Sequence, residues 1–202
     1  MIDRRLILLM TVLAGGCQDV DARDEAYDDE VLAQAAPTAP TVRQPQYDAT
    51  GGLVRPADVE TWVFLGTGVN LNYVEGTRAP NAPDFLTTTF MEPSAYRHYK
   101  ETGVFPEGTM TALLGYRAGS GIAPAKSGQF LGDNVLFEMS VKDSKKNPKE
   151  VWTYYGFARG GQRGEAHPAQ RCQACHVANA QTDLVFTQFY PNLRKPVTPT
   201  TR

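Results

Sequence analysis

The chain has 202 residues, 42% of them hydrophobic and 21% charged, with a formal net charge of −2. That balance suits a folded domain and gives no basis for nucleic-acid binding or for a strongly charged partner. Only three cysteines are present, which excludes a four-cysteine zinc site.

The chain opens with the basic pair Arg4-Arg5, an apolar run over residues 6–13 and the small residues Ala14-Gly15-Gly16 before Cys17. This is the anatomy of a secretory signal over residues 1–16. The run is too short to span a bilayer. A cysteine directly after small residues resembles a bacterial lipobox, although Leu13 stands one place further from the cysteine than usual. Cys17 is therefore the expected lipidated first residue of the mature chain. The alternatives are a plain cleaved signal with Cys17 left free, or a short uncleaved anchor. The expected location is the periplasm or cell envelope, with the membrane reached only through this N-terminal lipid.

Residues 17–54 are poor in large apolar side chains, acidic over 19–30, and then rich in alanine, proline and threonine. They read as a flexible tether. Residues 55–195 suit one domain of ordinary size, and 196–202 are a tail.

Within the domain, residues 61–65 around Trp62 and Phe64 fit a strand or a helix end. Residues 86–91 are β-prone. Pro93 opens a short helix that Gly103 closes, with Ala95, Tyr96 and Tyr99 on one face and Arg97, His98, Lys100 and Glu101 on the polar side. Phe105-Pro106-Glu107-Gly108 is a turn. Three alternating strands follow, over 109–117, 134–142 and 151–158. In the first, Met110, Ala112, Leu114 and Tyr116 share a face. In the second, Val135, Phe137, Met139 and Val141 oppose Leu136, Glu138 and Ser140. In the third, Trp152 and Tyr154 oppose Tyr155 and Phe157. A Gly/Arg-rich loop leads to a short helix near the C-terminus, then to an apolar segment over 184–190 that Pro191 stops. The fold class is α+β and β-rich: an antiparallel sheet with a few short helices.

The late helix carries Cys172-Gln173-Ala174-Cys175-His176. Two cysteines at this spacing followed by histidine form the attachment site of one covalently bound c-type haem. Each sulfur bonds a vinyl group, and His176 is the proximal iron ligand. A thioredoxin-like redox pair is the first alternative, but no βαβ pattern surrounds the motif. A Cys2His2 zinc site using His167 and His176 is the second, with a spacing unlike the usual zinc patterns. No methionine follows His176, and the chain lacks the helical periodicity of a four-helix cytochrome.

Trp62, the turn from Phe105 to Gly108 with Thr109, Phe-Glu-Met-Ser-Val-Lys-Asp over 137–143, the aromatic strand 152–157, the late CQACH and Asp-Leu-Val-Phe-Thr-Gln-Phe-Tyr over 183–190 fall in the order of the cytochrome P-460 family. The resemblance covers roughly residues 55–193. It implies a small β-rich fold, often a homodimer, with five-coordinate haem open on its distal side. It also implies a small gaseous or nitrogenous ligand such as nitric oxide, or oxidation of hydroxylamine. Members that oxidise hydroxylamine carry a lysine cross-linked to the porphyrin and a distal carboxylate. Relatives without the cross-link bind nitric oxide in a phenylalanine-capped pocket.

The strand after the Pro-x-Gly turn, where that lysine is expected, has none. Lys100 and Lys126 are the nearest, with Lys100 reading as a solvated helix residue. Lys100 and Glu138 are the only candidates for catalytic groups, and Glu138 reads first as a surface or salt-bridged carboxylate. Glu165 and His167 read as exposed loop residues. Arg159, Arg163 and Arg171 are candidates for the haem propionates. Phe90, Phe105, Phe137 and Phe157 each read as core, with one of them shaping the pocket. Ligand binding, small-nitrogen redox enzymology and simple electron transfer stay open, the last needing a sixth ligand such as Met110, Met139 or a lysine. A redox partner has no signature in the sequence.

Overall fold

Period-two alternation along three stretches builds the centre of a sheet, because each strand then offers one apolar face to each of two cores. These strands are β4 (Met110–Gly119), β5 (Phe130–Lys142) and β6 (Trp152–Phe157). β2 (Val63–Val69) and β3 (Phe85–Met91) extend the sheet on one side, and β7 (Arg163–Ala166) and β1 (Leu53–Val54) on the other. The order is β1-β7-β6-β5-β4-β3-β2, antiparallel throughout. The computed structural model describes residues 41–73, 79 and 82–194. The chain divides into Met1–Pro37 and Thr38–Arg202. The signal, Cys17 and the tail lie outside the described residues. No helix among the described residues is long and apolar enough to cross a membrane.

One face packs Met110, Ala112, Leu114, Phe137, Met139, Val141 and Tyr155 into a first core. It is covered by Tyr47, Leu53, Val59 and Trp62 from the N-terminal segment. This corrects the tether boundary at residue 54. Tyr47 donates to Asp143 at 2.9 Å, Arg163 Nε donates to Asp48 at 2.5 Å, and Leu53–Val54 pair with β7. Two apolar anchors and one ion pair were enough to dock a stretch whose average composition is polar.

The opposite face packs Leu65, Met91, Trp152 and Tyr154 into a second core. Its cover is α1 (Pro93–Thr102) through Ala95 and Tyr99, then Phe105, Val185 and Leu193. The buried Glu92 carboxylate caps α1 by accepting from the Ser94 and Ala95 N–H groups, both at 2.9 Å, and Gly103 ends the helix. The 105–108 turn forms as expected. Gly108 has φ +86°, and a Cβ there would lie 2.8 Å from the Arg43 carbonyl, so both backbone and space require glycine.

Two elements differ from expectation. The Gly/Arg-rich loop contains β7, whose short polar sequence carries no apolar alternation and is strand only because β6 and β1 flank it. The apolar segment 184–190 is not a regular element. It consists of a reversal at 182–185 followed by 3-10 turns at Thr187–Phe189 and Pro191–Leu193. The motif cysteines and His176 lie on α2 (Ala169–Asn179).

Candidate functional site

The second face of the sheet floors a cavity, and α2 and the C-terminal segment roof it. Its walls include Thr89, Thr111, Leu113, Glu138, Ser140 and Tyr154 from the sheet. Cys172, His176, Leu184, Val185 and Phe186 come from the roof. The cavity holds about 190 Å³ and adjoins a second of about 210 Å³ that shares Tyr73, Thr89, Leu113 and Tyr190.

α2 spaces Cys172 and His176 one helical turn apart, which sets both on one side of the helix. Cys172 and Cys175 are free thiols. Burial raises the Cys172 thiol pKa, and the Glu138 carboxylate adds to the rise. His176 Nδ1 lies 2.6 Å from the Leu184 carbonyl. A carbonyl only accepts, so Nδ1 carries the proton and Nε2 keeps its lone pair for a metal. Burial lowers the His176 pKa, with the Leu184 bond opposing, which favours the neutral imidazole that metals bind. The ring is flanked by Tyr154 and Phe186, each with its centroid 4.5 Å away. Tyr73 stacks on Phe186 at 5.9 Å.

Two free thiols on α2, of which Cys172 lines an aromatic-walled cavity together with a neutral imidazole, fit a haem. Cys172 and Cys175 would hold it through sulfur and His176 through Nε2. Among the described residues no three His, Cys, Asp or Glu side chains converge on a bare metal ion. Two buried polar atoms on the wall, the Tyr154 hydroxyl and His167 Nε2, have no hydrogen-bond partner.

Glu138 is where its alternation put it, opposite Phe137 and Met139, but that face is the cavity floor and not the surface. In register it sits between Leu113 and Gly156. His167 also lines the cavity, with a side chain only 14% exposed, which corrects its expected loop exposure. Its Nε2 is 3.3 Å from Glu138 Oε1, within ion-pair range but without hydrogen-bond geometry. Gly156 makes this possible: a Cβ there would lie 2.6 Å from His167 Cε1. Gly156→Ala is expected to push the imidazole off the sheet and cost about 1–3 kcal/mol, read as a lower urea midpoint. An unchanged midpoint with unmoved His167 imidazole resonances would show that the ring is not seated there.

Other candidates fall away from the cavity. Lys100 is exposed on α1 and donates to the Asn192 carbonyl at 3.2 Å. Lys126 is exposed in the loop after β4. Glu165 is exposed and paired with Arg163. Arg163 is also committed to Asp48 and Thr50, and Arg159 and Arg171 are exposed. None of the three arginines lines the cavity. The four expected phenylalanines pack in the cores, and the one on the cavity wall is Phe186. It stands in the apolar segment after the motif, which was the available signal for it. Met110 packs in the first core, and so does Met139, which also borders the cavity.

The Cytochrome P460 family model matches residues 56–187, from just before the 3-10 turn at Val59–Thr61 to the C-terminal segment. No curated protein matches the chain.

Proposed function

The chain belongs to the cytochrome P460 family, which implies haem binding, and from that premise we propose that it is a mono-haem c-type cytochrome with an open distal position. The haem is held by thioethers to Cys172 and Cys175 and by His176 Nε2. It binds a small ligand such as nitric oxide. When bound, the haem supplies an iron that can take such a ligand and exchange an electron. The observation that carries this reading is the proximal set: His176 with Nδ1 engaged at 2.6 Å, on the cavity wall with the free thiol Cys172 and one residue from the second free thiol, Cys175, on the same helix. Its chain context is export to the cell envelope with a lipid on Cys17, consistent with covalent haem attachment outside the cytoplasm. A homodimer and an external redox partner complete the reading.

The second reading is proton-coupled oxidation of a small nitrogen compound such as hydroxylamine. It is favoured by Glu138 and His167, which set a carboxylate and an imidazole on the cavity wall where a proton can be accepted and passed on. Against a cross-linked cofactor, no lysine is among the residues that line the cavity.

The test is the optical spectrum of the haem-loaded full chain, ferric and ferrous, with and without nitric oxide. High-spin spectra that change with nitric oxide are expected. A low-spin spectrum indifferent to nitric oxide overturns the open site and leaves an electron carrier, with His167 as a candidate sixth ligand. A ferrous Soret band shifted far to the red identifies a porphyrin cross-link and moves the assignment to the oxidising enzyme.

A further inference from the structure

Residues 182–185 reverse the chain between α2 and the second core. The Val185 N–H donates to the Thr182 carbonyl at 2.8 Å, and the Thr182 N–H returns to Val185 at 3.4 Å. The two central residues, Asp183 and Leu184, have φ +45° and +60°. Positive φ at both central positions is the type I′ arrangement, which ordinarily takes Asn-Gly because a Cβ crowds the backbone there. Aspartate tolerates the left-handed region, whereas a bulky leucine rarely enters it. The Asp183-Leu184 dipeptide therefore needs support from outside the turn.

That support comes from the sheet. Asp183 Oδ2 accepts from Lys142 Nζ at 2.7 Å, and Oδ1 accepts from Trp152 Nε1 at 3.3 Å. Lys142 is itself fixed by a second bond, to the Phe105 carbonyl at 2.7 Å, and its side chain is only 13% exposed. Lys142 and Trp152 are direct partners across β5 and β6, so the two donors have a rigid common base. The next residue after the anchored carboxylate is Leu184, and it is the Leu184 carbonyl that meets His176 Nδ1 at 2.6 Å.

We propose that Lys142 and Asp183 are positioning residues for the proximal histidine. By holding the 182–185 turn they keep the Leu184 carbonyl on Nδ1, and so set the orientation and donor strength of His176 toward the haem iron. This rests on the haem reading above. A short bond from Nδ1–H to a carbonyl makes Nε2 more basic. A more basic ligand stabilises ferric over ferrous iron. Neither residue touches the haem in this scheme; both act through the turn.

The experiment uses the haem-loaded full chain with Asp183→Asn and, separately, Lys142→Met. Asparagine keeps the tolerance for positive φ while removing the charge. The readouts are the ferrous iron–histidine stretching frequency and the reduction potential. Both variants are expected to lower the frequency and raise the potential. The ferric-to-ferrous ratio at a fixed potential should move about tenfold toward ferrous, or about 59 mV for one electron. Lys142→Arg, which keeps the charge, should return both values toward the parent. Asp58→Asn removes the exposed Arg43–Asp58 pair and should change neither. Parent values in Asp183→Asn and Lys142→Met overturn the inference. A parent protein that takes up no haem overturns the haem reading instead. Where Asp183→Asn fails to fold, Leu184→Gly with Lys142→Met decides. Glycine takes φ +60° freely, so the turn should hold without its anchor and the shift should shrink.

Discussion

Replacing both Cys172 and Cys175 by serine is expected to abolish covalent haem completely, read as loss of haem-dependent peroxidase staining after denaturing electrophoresis. Each sulfur makes one bond to one vinyl group, so each single variant should keep a stained band and only the double variant should lose it. Both thiols are free and part-buried on α2, with no disulfide to lose. The apo double variant should therefore melt close to the apo parent. A stained band surviving in the double variant would place the attachment elsewhere. A lost band with a collapsed apo melt would mean that the cysteines serve packing, a role for which Cys172 has some claim because it packs against the second core. Haem bound only through His176 would be extractable from the double variant by acid and organic solvent, which separates the covalent from the coordinate attachment.

The second large effect is on stability. Trp152→Ala is expected to destabilise the domain by about 3–5 kcal/mol, a large part of the 5–15 kcal/mol that a domain of this size has in total. Trp152 is 1% exposed. Its ring meets Phe105 edge-on at 6.2 Å, and Phe105 stacks on Tyr99 at 4.0 Å, so one truncation opens a cavity at the junction of β6, the 105–108 turn and α1. It also removes the Nε1 donor to Asp183. Urea denaturation should show a lower midpoint with an unchanged slope. Val177, 62% exposed on α2, is the matched control, and Val177→Ala should stay within about 0.5 kcal/mol of the parent. A Trp152→Ala loss no larger than the control's would mean that the second core closes over the gap.

The central strands were legible because alternation is a local signal. Met110, Ala112 and Leu114 show their face within a few residues, and so do Phe137, Met139 and Val141. The α1 boundaries were legible for the same reason, since Pro93 and Gly103 act on their own neighbours. β1 and β7 were not, because stretches of two and four residues are too short to show a period. β1 is a strand through hydrogen bonds to a partner about a hundred residues away in sequence, as Leu53 pairs with Gly164, and β7 is held between β1 and β6. The docking of Tyr47 on Asp143 is hidden likewise, since composition averaged over a polar stretch conceals single anchors.

The site divides in the same way. Cysteine spacing and the histidine beside it are chemistry written in one pentapeptide, so the residues that would hold a haem follow from sequence alone. Alternation also fixed that Glu138 lies opposite Phe137 and Met139. It could not say which face would be roofed, because that depends on where α2 and the C-terminal segment fold back. Only the tertiary structure turned Glu138 inward, brought His167 over Gly156 beside it, and removed Lys100 from the cavity. The same folding-back set Lys142 against Asp183, forty-one positions on, and thereby the Leu184 carbonyl against His176. Local sequence decides what a residue is able to do and which way it alternates. Long-range packing decides what it faces, and that was settled here by a sheet whose two faces are each apolar enough to be covered.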